Sequence, residues 1–200
     1  TDGFPLRWGG NLNEHHVSPP RREFDNHAIP AEATPFVREQ IAEYISQGVV
    51  RECSSVPHVV SPLQVAQRNG KYRLILDMSW VNTYIMVPKF KFERIPRDGL
   101  PFEHTLGDLF RAGDDCFTVD LKSGYSHLDI HPEFVKFFGF AFEGKYYEFQ
   151  SLPFGLASAP WAFTQLMKEF VRPFRRLGYR LKYYIDDSLW AANVNKIART

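Results

Sequence analysis

Apolar and polar positions along this chain repeat with two different periods, and the periods divide it into helices and strands. Val37, Ile41, Tyr44 and Ile45 fall on one side at helical spacing behind Thr34-Pro35. This predicts a helix capped by Thr34, with Pro35 at its first position and a stop at Gly48. A short apolar run from Val56 to Ser61 carries Pro57, and Val65-Ala66-Gln67 and Lys71 to Met78 flank Arg68-Asn69-Gly70. Asn-Gly suits a tight connection, so the flanking runs read as a hairpin. Residues 88 to 105 mix basic and apolar residues with Pro88, Pro96 and Pro101, which suggests an irregular connector with room for a short helix.

Beyond the connector, a Gly113-Asp114-Asp115 turn leads into Cys116-Phe117-Thr118-Val119, a strand ending at Asp120, and a short helical segment is expected over 123 to 128. Phe137 to Phe142 and Tyr146 to Phe149 read as an aromatic hairpin turning at Glu143-Gly144-Lys145. Ser158-Ala159-Pro160 starts another helix, continued by the stripe Phe163, Leu166, Met167, Phe170 and Phe174. Pro173 is expected to bend it or end it early. Arg180 to Ile185 and Ser188 to Ala191 are strands joined at Asp186-Asp187, and a last helix begins over 195 to 200. Such an order describes an α+β fold, not a barrel or a doubly wound sheet.

Residues 1 to 31 lack apolar periodicity and read as an extended arm, whose His15, His16 and His27 fit no common metal spacing. With 44% hydrophobic residues and 18 Phe there is ample core material, so the chain is not disordered as a whole. The 24 Lys and Arg balance 23 Asp and Glu, which neither favours nor excludes a nucleic-acid partner. Cys53 and Cys116 are too few for a disulfide framework and lack zinc-ligand neighbours, so they read as free thiols of a reducing, intracellular compartment, cytoplasmic or nuclear. No membrane partner is expected, since no stretch approaches the roughly 20 apolar residues of a span.

Three carboxylates are unusual. Asp120 ends an apolar strand, and Asp186-Asp187 interrupt Tyr183-Tyr184-Ile185 and Leu189-Trp190. Carboxylates in such surroundings are costly unless paired, hydrogen-bonded or bound to cations, and adjacent like charges repel. Two strand-borne carboxylate sites can clamp divalent ions, for which Mg2+ wants oxygen ligands shared with substrate phosphates. Nothing in the spacing alone brings Asp120 near Asp186.

The resemblance that makes this connection is to the reverse transcriptases. Asp120-Leu121-Lys122-Ser123-Gly124-Tyr125 resembles their first catalytic motif, and Tyr184-Ile185-Asp186-Asp187 their aromatic-x-Asp-Asp box. Leu152-Pro153-Phe154-Gly155-Leu156, followed by Ser158-Ala159-Pro160 and Phe163, resembles the segment under template and incoming nucleotide. Lys71 to Asp77 and Asn82 resemble the fingers motif. Each string is weak alone, but the four occur in family order over roughly residues 45 to 192. Val87-Pro88-Lys89-Phe90 and Phe140-Ala141-Phe142 look more like retrotransposon than retroviral enzymes, with elements of the tyrosine-recombinase class nearest. One departure stands out: family members often carry a basic residue two positions after the fingers aspartate, where Asp77 is followed by Met78-Ser79-Trp80.

The resemblance implies fingers and palm, an antiparallel palm sheet packed on helices, with the thumb absent. It divides the chain into an arm at 1–31, fingers and connector at 32–105 and palm at 106–200, with fingers contributions from 130–155. It implies template-directed DNA synthesis, with RNA or DNA template-primer and deoxynucleoside triphosphates as partners and Mg2+, alternatively Mn2+, as cofactor. Asp120, Asp186 and Asp187 would be the acidic cluster, with a metal also on the Leu121 carbonyl. Tyr125 would lie beneath the incoming sugar, Arg73 and Lys71 would reach the triphosphate, and Gln150, Phe154 and Gly155 would shape the pocket. Arg68 is an alternative to Lys71. A homo-oligomer, or thumb and ribonuclease H regions beyond this chain, would complete the grip on nucleic acid. The rival expectation is a catalytically idle, domesticated version of the fold that binds nucleic acid or protein.

Overall fold

The computed structural model describes residues 3–9, 17–93, 109–122 and 124–193. Most of the expected connector, His15, His16 and the helix expected over 195–200 lie outside them. The chain divides into two compact units, one from Thr1–Pro88 with Tyr125–Ala159, the other from Lys89–Gly124 with Pro160–Thr200.

In the first unit, helix α1 (Thr34–Ser46) buries Val37 and Ile41 of the expected stripe, while Tyr44 is half-buried and Ile45, in the last turn, is exposed. Thr34 does not cap it: a 3-10 turn, Ala31–Ala33, leads straight in, making Thr34 the first helical residue. The helix ends before Gly48, whose φ of +72° suits a residue without a Cβ. Two hairpins follow the reading closely. β4 (Leu63–Arg68) pairs antiparallel with β5 (Lys71–Leu76), and Asn69 and Gly70 both take positive φ, the two-residue turn that matches strand twist. β7 (Gly139–Phe142) and β8 (Lys145–Phe149) are joined in the same way through Glu143 and Gly144, so Lys145 belongs to the strand and not to the turn.

The five-stranded sheet, ordered β1 (Arg22–Glu23), β3 (Val59–Val60), β7, β8 and β2 (Val50–Cys53), holds three strands that periodicity did not mark. β1 and β3 are two residues long and run parallel to each other. β2 hides its strand character behind Arg51 and Glu52, whose ion partners are Glu148 and Lys145 on β8. The arm is therefore stitched down through β1 and through bridges of Phe4 to Ile130 and Trp8 to Ile85. Helices α2 (Ser79–Asn82) and α3 (Pro132–Val135) are single turns. Val59, Val60, Leu63, Val81, Phe138 and Phe140 are fully buried and make up this unit's core.

The second unit is an antiparallel sheet, β6 (Asp115–Asp120), β10 (Asp187–Ala192) and β9 (Arg180–Tyr184) in that order, with helix α4 (Ala159–Arg176). Trp190 anchors it, stacked on Phe117 at 5.7 Å and meeting Phe174 of α4 edge-on at 5.1 Å. Its ring nitrogen donates to the Ser188 hydroxyl, which donates to the Val119 carbonyl. Pro173 neither ends nor truncates α4, which runs one turn past it. The buried stripe also differs from the expected one: Phe163, Met167 and Val171 are buried, while Leu166 and Phe170 are exposed. A continuous 3.6-residue repeat rotates past both of those positions. Among the described residues, no helix is long and apolar enough to cross a membrane.

Candidate active site

The site begins with a register. Asp187, the first residue of β10, sits directly opposite Asp120, the last residue of β6. Directly opposed residues of an antiparallel pair point to the same face, with Cβ atoms about 5 Å apart. The turn before β10 consists of Ile185 and Asp186, so Asp187 lies in the strand and not in the loop. Asp186 is fixed by its backbone, whose carbonyl accepts from the Leu121 N–H at 3.0 Å. Ile185 has φ of +56°, a region that β-branched residues avoid. The strands thus bring together Asp120, Leu121, Asp186 and Asp187 from segments 66 positions apart (120 to 186).

Several other described carboxylates are paired with cations. Arg180 bonds the Asp114 carboxylate and holds it below the usual carboxylate range, and Arg38 does the same for Glu143. Asp120, Asp186 and Asp187 have no such ion-pair partner among the described residues, although like charges facing across a ladder are destabilising. Their donor set is all oxygen, the chemistry that hard divalent cations such as Mg2+ prefer, so the residues present fit such an ion. The described residues hold no group of three acidic, His or Cys side chains already gathered to ligating distance. Phosphate or water oxygens would have to complete a shell, which is the usual arrangement for Mg2+.

Following Asp120, Gly124 opens a 3-10 turn, Gly124–His127, and a Cβ at Gly124 would come within 2.8 Å of the Phe163 ring. The remaining expected residues lie in the first unit. Tyr125 meets Phe154 edge-on at 5.3 Å, and Phe154 is exposed. Gly155 has φ of +92°, and a Cβ there would approach the Leu76 carbonyl oxygen to 3.3 Å. Gln150 is tied by backbone bonds to Val49 and Ile130, and its side-chain amide donates to the Glu148 carbonyl. Arg73 and Lys71 alternate along β5 opposite Ala66 and Arg68. Alternation therefore puts Arg68, Lys71 and Arg73 on one face of the hairpin, all exposed.

Two residues, one in each unit, carried no functional signal in the sequence. Asn82 belonged to a motif without a role, yet its amide donates to the Gly155 carbonyl and accepts from the Ala157 N–H, both at 2.8 Å. The left-handed backbone at Ile185 has no sequence signature, since isoleucine is a poor residue for it. Where the family often carries a basic residue, Ser79 instead donates its N–H to Asp77, and neighbouring Trp80 packs against Phe24 and Tyr84.

A family profile described as reverse transcriptase (RNA-dependent DNA polymerase) matches residues 65–199. The Pol polyprotein of transposon 297 from Drosophila melanogaster is 29% identical over 155 residues, covering 76% of this chain and 14% of that protein. A putative enzymatic polyprotein of Cassava vein mosaic virus is 26% identical over 162 residues, covering 78% of this chain and 23% of its own length. The chain thus spans less than a quarter of these two curated relatives. Prototype foamy virus protease-reverse transcriptase superposes with a TM-score of 0.68 at 21% identity, over 95% of this chain and 24% of that one. The foamy viral enzyme in complex with RNA/DNA hybrid gives 0.65 at 21% identity, over 92% and 23%. Identities this low speak for the fold, and the profile speaks for the family. With its mixed helix-and-sheet architecture and a profile match across 135 of its residues (65 to 199), this chain belongs to the reverse transcriptase family.

Proposed function

We propose that this chain carries the nucleotidyl-transfer core of template-directed DNA synthesis, copying RNA or DNA from deoxynucleoside triphosphates. The observation that carries the reading is the facing register of Asp120 and Asp187 beside Asp186, three carboxylates with no cation of their own among the described residues. Asp120, Asp186 and Asp187, with the Leu121 carbonyl, would hold two Mg2+ ions, or Mn2+ in their place. Such a pair would sharpen the attacking 3′-hydroxyl and offset charge on the leaving pyrophosphate.

The chain's own residues have the other tasks. Arg73, with Lys71 or Arg68 beside it, offers a guanidinium fork and a second positive charge to the triphosphate. Tyr125, backed by Phe154, would fill the space a 2′-hydroxyl needs and so select deoxynucleotides. Gln150, Phe154 and Gly155 would border the template base and sugar, with Gly155 permitting close backbone approach. Phosphoryl transfer depends mainly on positioning and charge stabilisation, so no nucleophilic side chain is required. In this reading 32–105 act as fingers and connector and 106–200 as palm. A foamy viral relative of the fold solved on RNA/DNA hybrid supports a template-primer as partner.

Primer extension tests the reading. The purified chain with Mg2+, deoxynucleotides and a primed RNA or DNA template is expected to extend the primer, and Asp186→Asn to lose at least about 100-fold in rate, the scale of removing one charge-stabilising group. Unchanged extension by that variant would overturn the assignment. Template-primer binding without extension by the wild-type chain would instead favour the idle module. Tyr125→Ala is expected to admit ribonucleotides, read as a fall in the deoxy-to-ribo ratio of kcat/KM.

A further inference from the structure

The balance of 24 basic and 23 acidic residues conceals a strong local asymmetry. Residues 168–182 hold six cations (Lys168, Arg172, Arg175, Arg176, Arg180 and Lys182) and a single acid, Glu169. Four of the six belong to α4, and Lys168, Arg172, Arg175 and Arg176 line a shallow surface concavity of about 450 Å3. At 100° per residue these four fall within an arc of about 100°. Lys168, Arg172 and Arg176 follow one another every four residues, a rail about 12 Å long at 1.5 Å per residue. Arg172 pairs with Glu169, and Arg175 pairs with Glu93 while donating to the Leu181 carbonyl. Lys168 and Arg176 are exposed and have no acidic partner among the described residues.

This rail is not part of the carboxylate site. Phe174 places α4 on the Trp190 face of the sheet. Trp190 is three residues from Asp187, and its register partner Phe117 is three from Asp120. Alternation therefore puts the carboxylates on the opposite face. Helix burial does not explain the cations either: the side of α4 that enters the core carries Phe163, Met167 and Val171, and exposed Leu166 and Phe170 lie on the far flank.

We propose that the Lys168–Arg176 rail of α4 is a second nucleic-acid contact, a sequence-independent seat for phosphate backbone away from the carboxylates. The residue types favour phosphate, because three of the four are guanidiniums, whose planar fork matches phosphate oxygens. The repeat favours a polymer over a single anion. A nucleic-acid strand presents a charge about every 3.4 Å along its axis, so a 12 Å rail faces several phosphates at once. Binding here depends neither on divalent metal nor on deoxynucleotide, which makes it separable from the proposed polymerase chemistry.

The test is anisotropy of labelled 20-nucleotide single strands and 20-base-pair duplexes against the full chain, in EDTA, from about 50 to 200 mM KCl. Lys168→Gln with Arg176→Gln removes the two unpaired cations and leaves no carboxylate stranded. Arg7→Gln with Arg21→Gln on the arm removes the same charge elsewhere. The rail variant is expected to lower the slope of log K against log salt by about 1.8 on duplex and 1.4 on single strand. Affinity at low salt should weaken at least about tenfold, with little change in the arm variant. If the paired substitution melts early, Lys168→Gln alone should lower the slope by about 0.7 to 0.9. An unchanged slope would overturn the proposal. So would equal losses in both variants, which would report net charge only. Displacement by polyglutamate as efficient as by nucleic acid of equal charge would reassign the rail to an acidic protein.

Discussion

Asn82 clasps the backbone around Gly155. One side-chain amide bonds the Gly155 carbonyl and the Ala157 N–H, each at 2.8 Å, and so ties α2 to the loop that opens at Leu152-Pro153. Gly155 needs that support, since its φ of +92° is a conformation the loop must be held in. Asn82→Ala is expected to destabilise the chain by roughly 1–3 kcal/mol, two hydrogen bonds at about 1 kcal/mol each with a backbone group left unpaired. KM for deoxynucleotide should rise more than kcat falls. Urea unfolding and steady-state extension check both, and Asn82→Asp should recover only the part due to the Ala157 bond.

The facing pair Asp120 and Asp187 makes a prediction about stability in the opposite direction. Opposed like charges cost roughly 0.2–1 kcal/mol across a ladder. Asp187→Asn should therefore raise the melting temperature slightly in EDTA, and the stabilisation that Mg2+ gives the wild-type chain should shrink or vanish. A variant less stable than wild type in EDTA would contradict the absence of a protein cation at the site.

Ile185 holds the turn that aims Asp186, with φ of +56°. A non-glycine residue in such a region stores of order 1–3 kcal/mol. Removing a half-buried isoleucine side chain would ordinarily be destabilising. At this position, relief of strain should offset most of that loss, leaving Ile185→Gly within about 1 kcal/mol of wild type by urea unfolding. Extension should nevertheless slow, because glycine no longer dictates where the aspartate points.

Asp77 contributes to the acid dependence of the first unit. Bonds from the Ser79 hydroxyl and N–H, then from His27 at 3.1 Å, hold its carboxyl below the ordinary carboxylate value. A folded value depressed below the unfolded one stabilises above about pH 4 and is lost as pH falls through the folded value. Asp77→Asn should thus be less stable than wild type at neutral pH, and the gap in urea midpoint should close as pH falls below the ordinary carboxylate value.

Local elements were readable wherever a few neighbouring residues decide them. Asn69-Gly70 turns tightly because Asn and Gly tolerate positive φ, Gly144 supplies that freedom behind Glu143, and Val37 and Ile41 bury because a helix repeats every 3.6 residues. Elsewhere the partner mattered more than the period. Arg51 and Glu52 look like surface charges until β8 supplies Glu148 and Lys145. The two-residue strands β1 and β3 have no pattern to read, because a strand that short exists only through its neighbour. Pro173 stays inside α4, and the helix continues for one turn beyond it with Phe174 against Trp190.

The same division holds for the candidate site. The linear chain by itself determined which residues are candidates for the chemistry, because carboxylates next to apolar strands are conspicuous and the four motif strings occur in family order. Only the tertiary structure decided that Asp120 faces Asp187, that Asp186 hangs on the Leu121 N–H, and that Asn82 grips the Gly155 loop. Each of these depends on a register between segments distant in sequence. A shift of one residue would send the carboxylate to the opposite face of the sheet, and no local propensity encodes that choice.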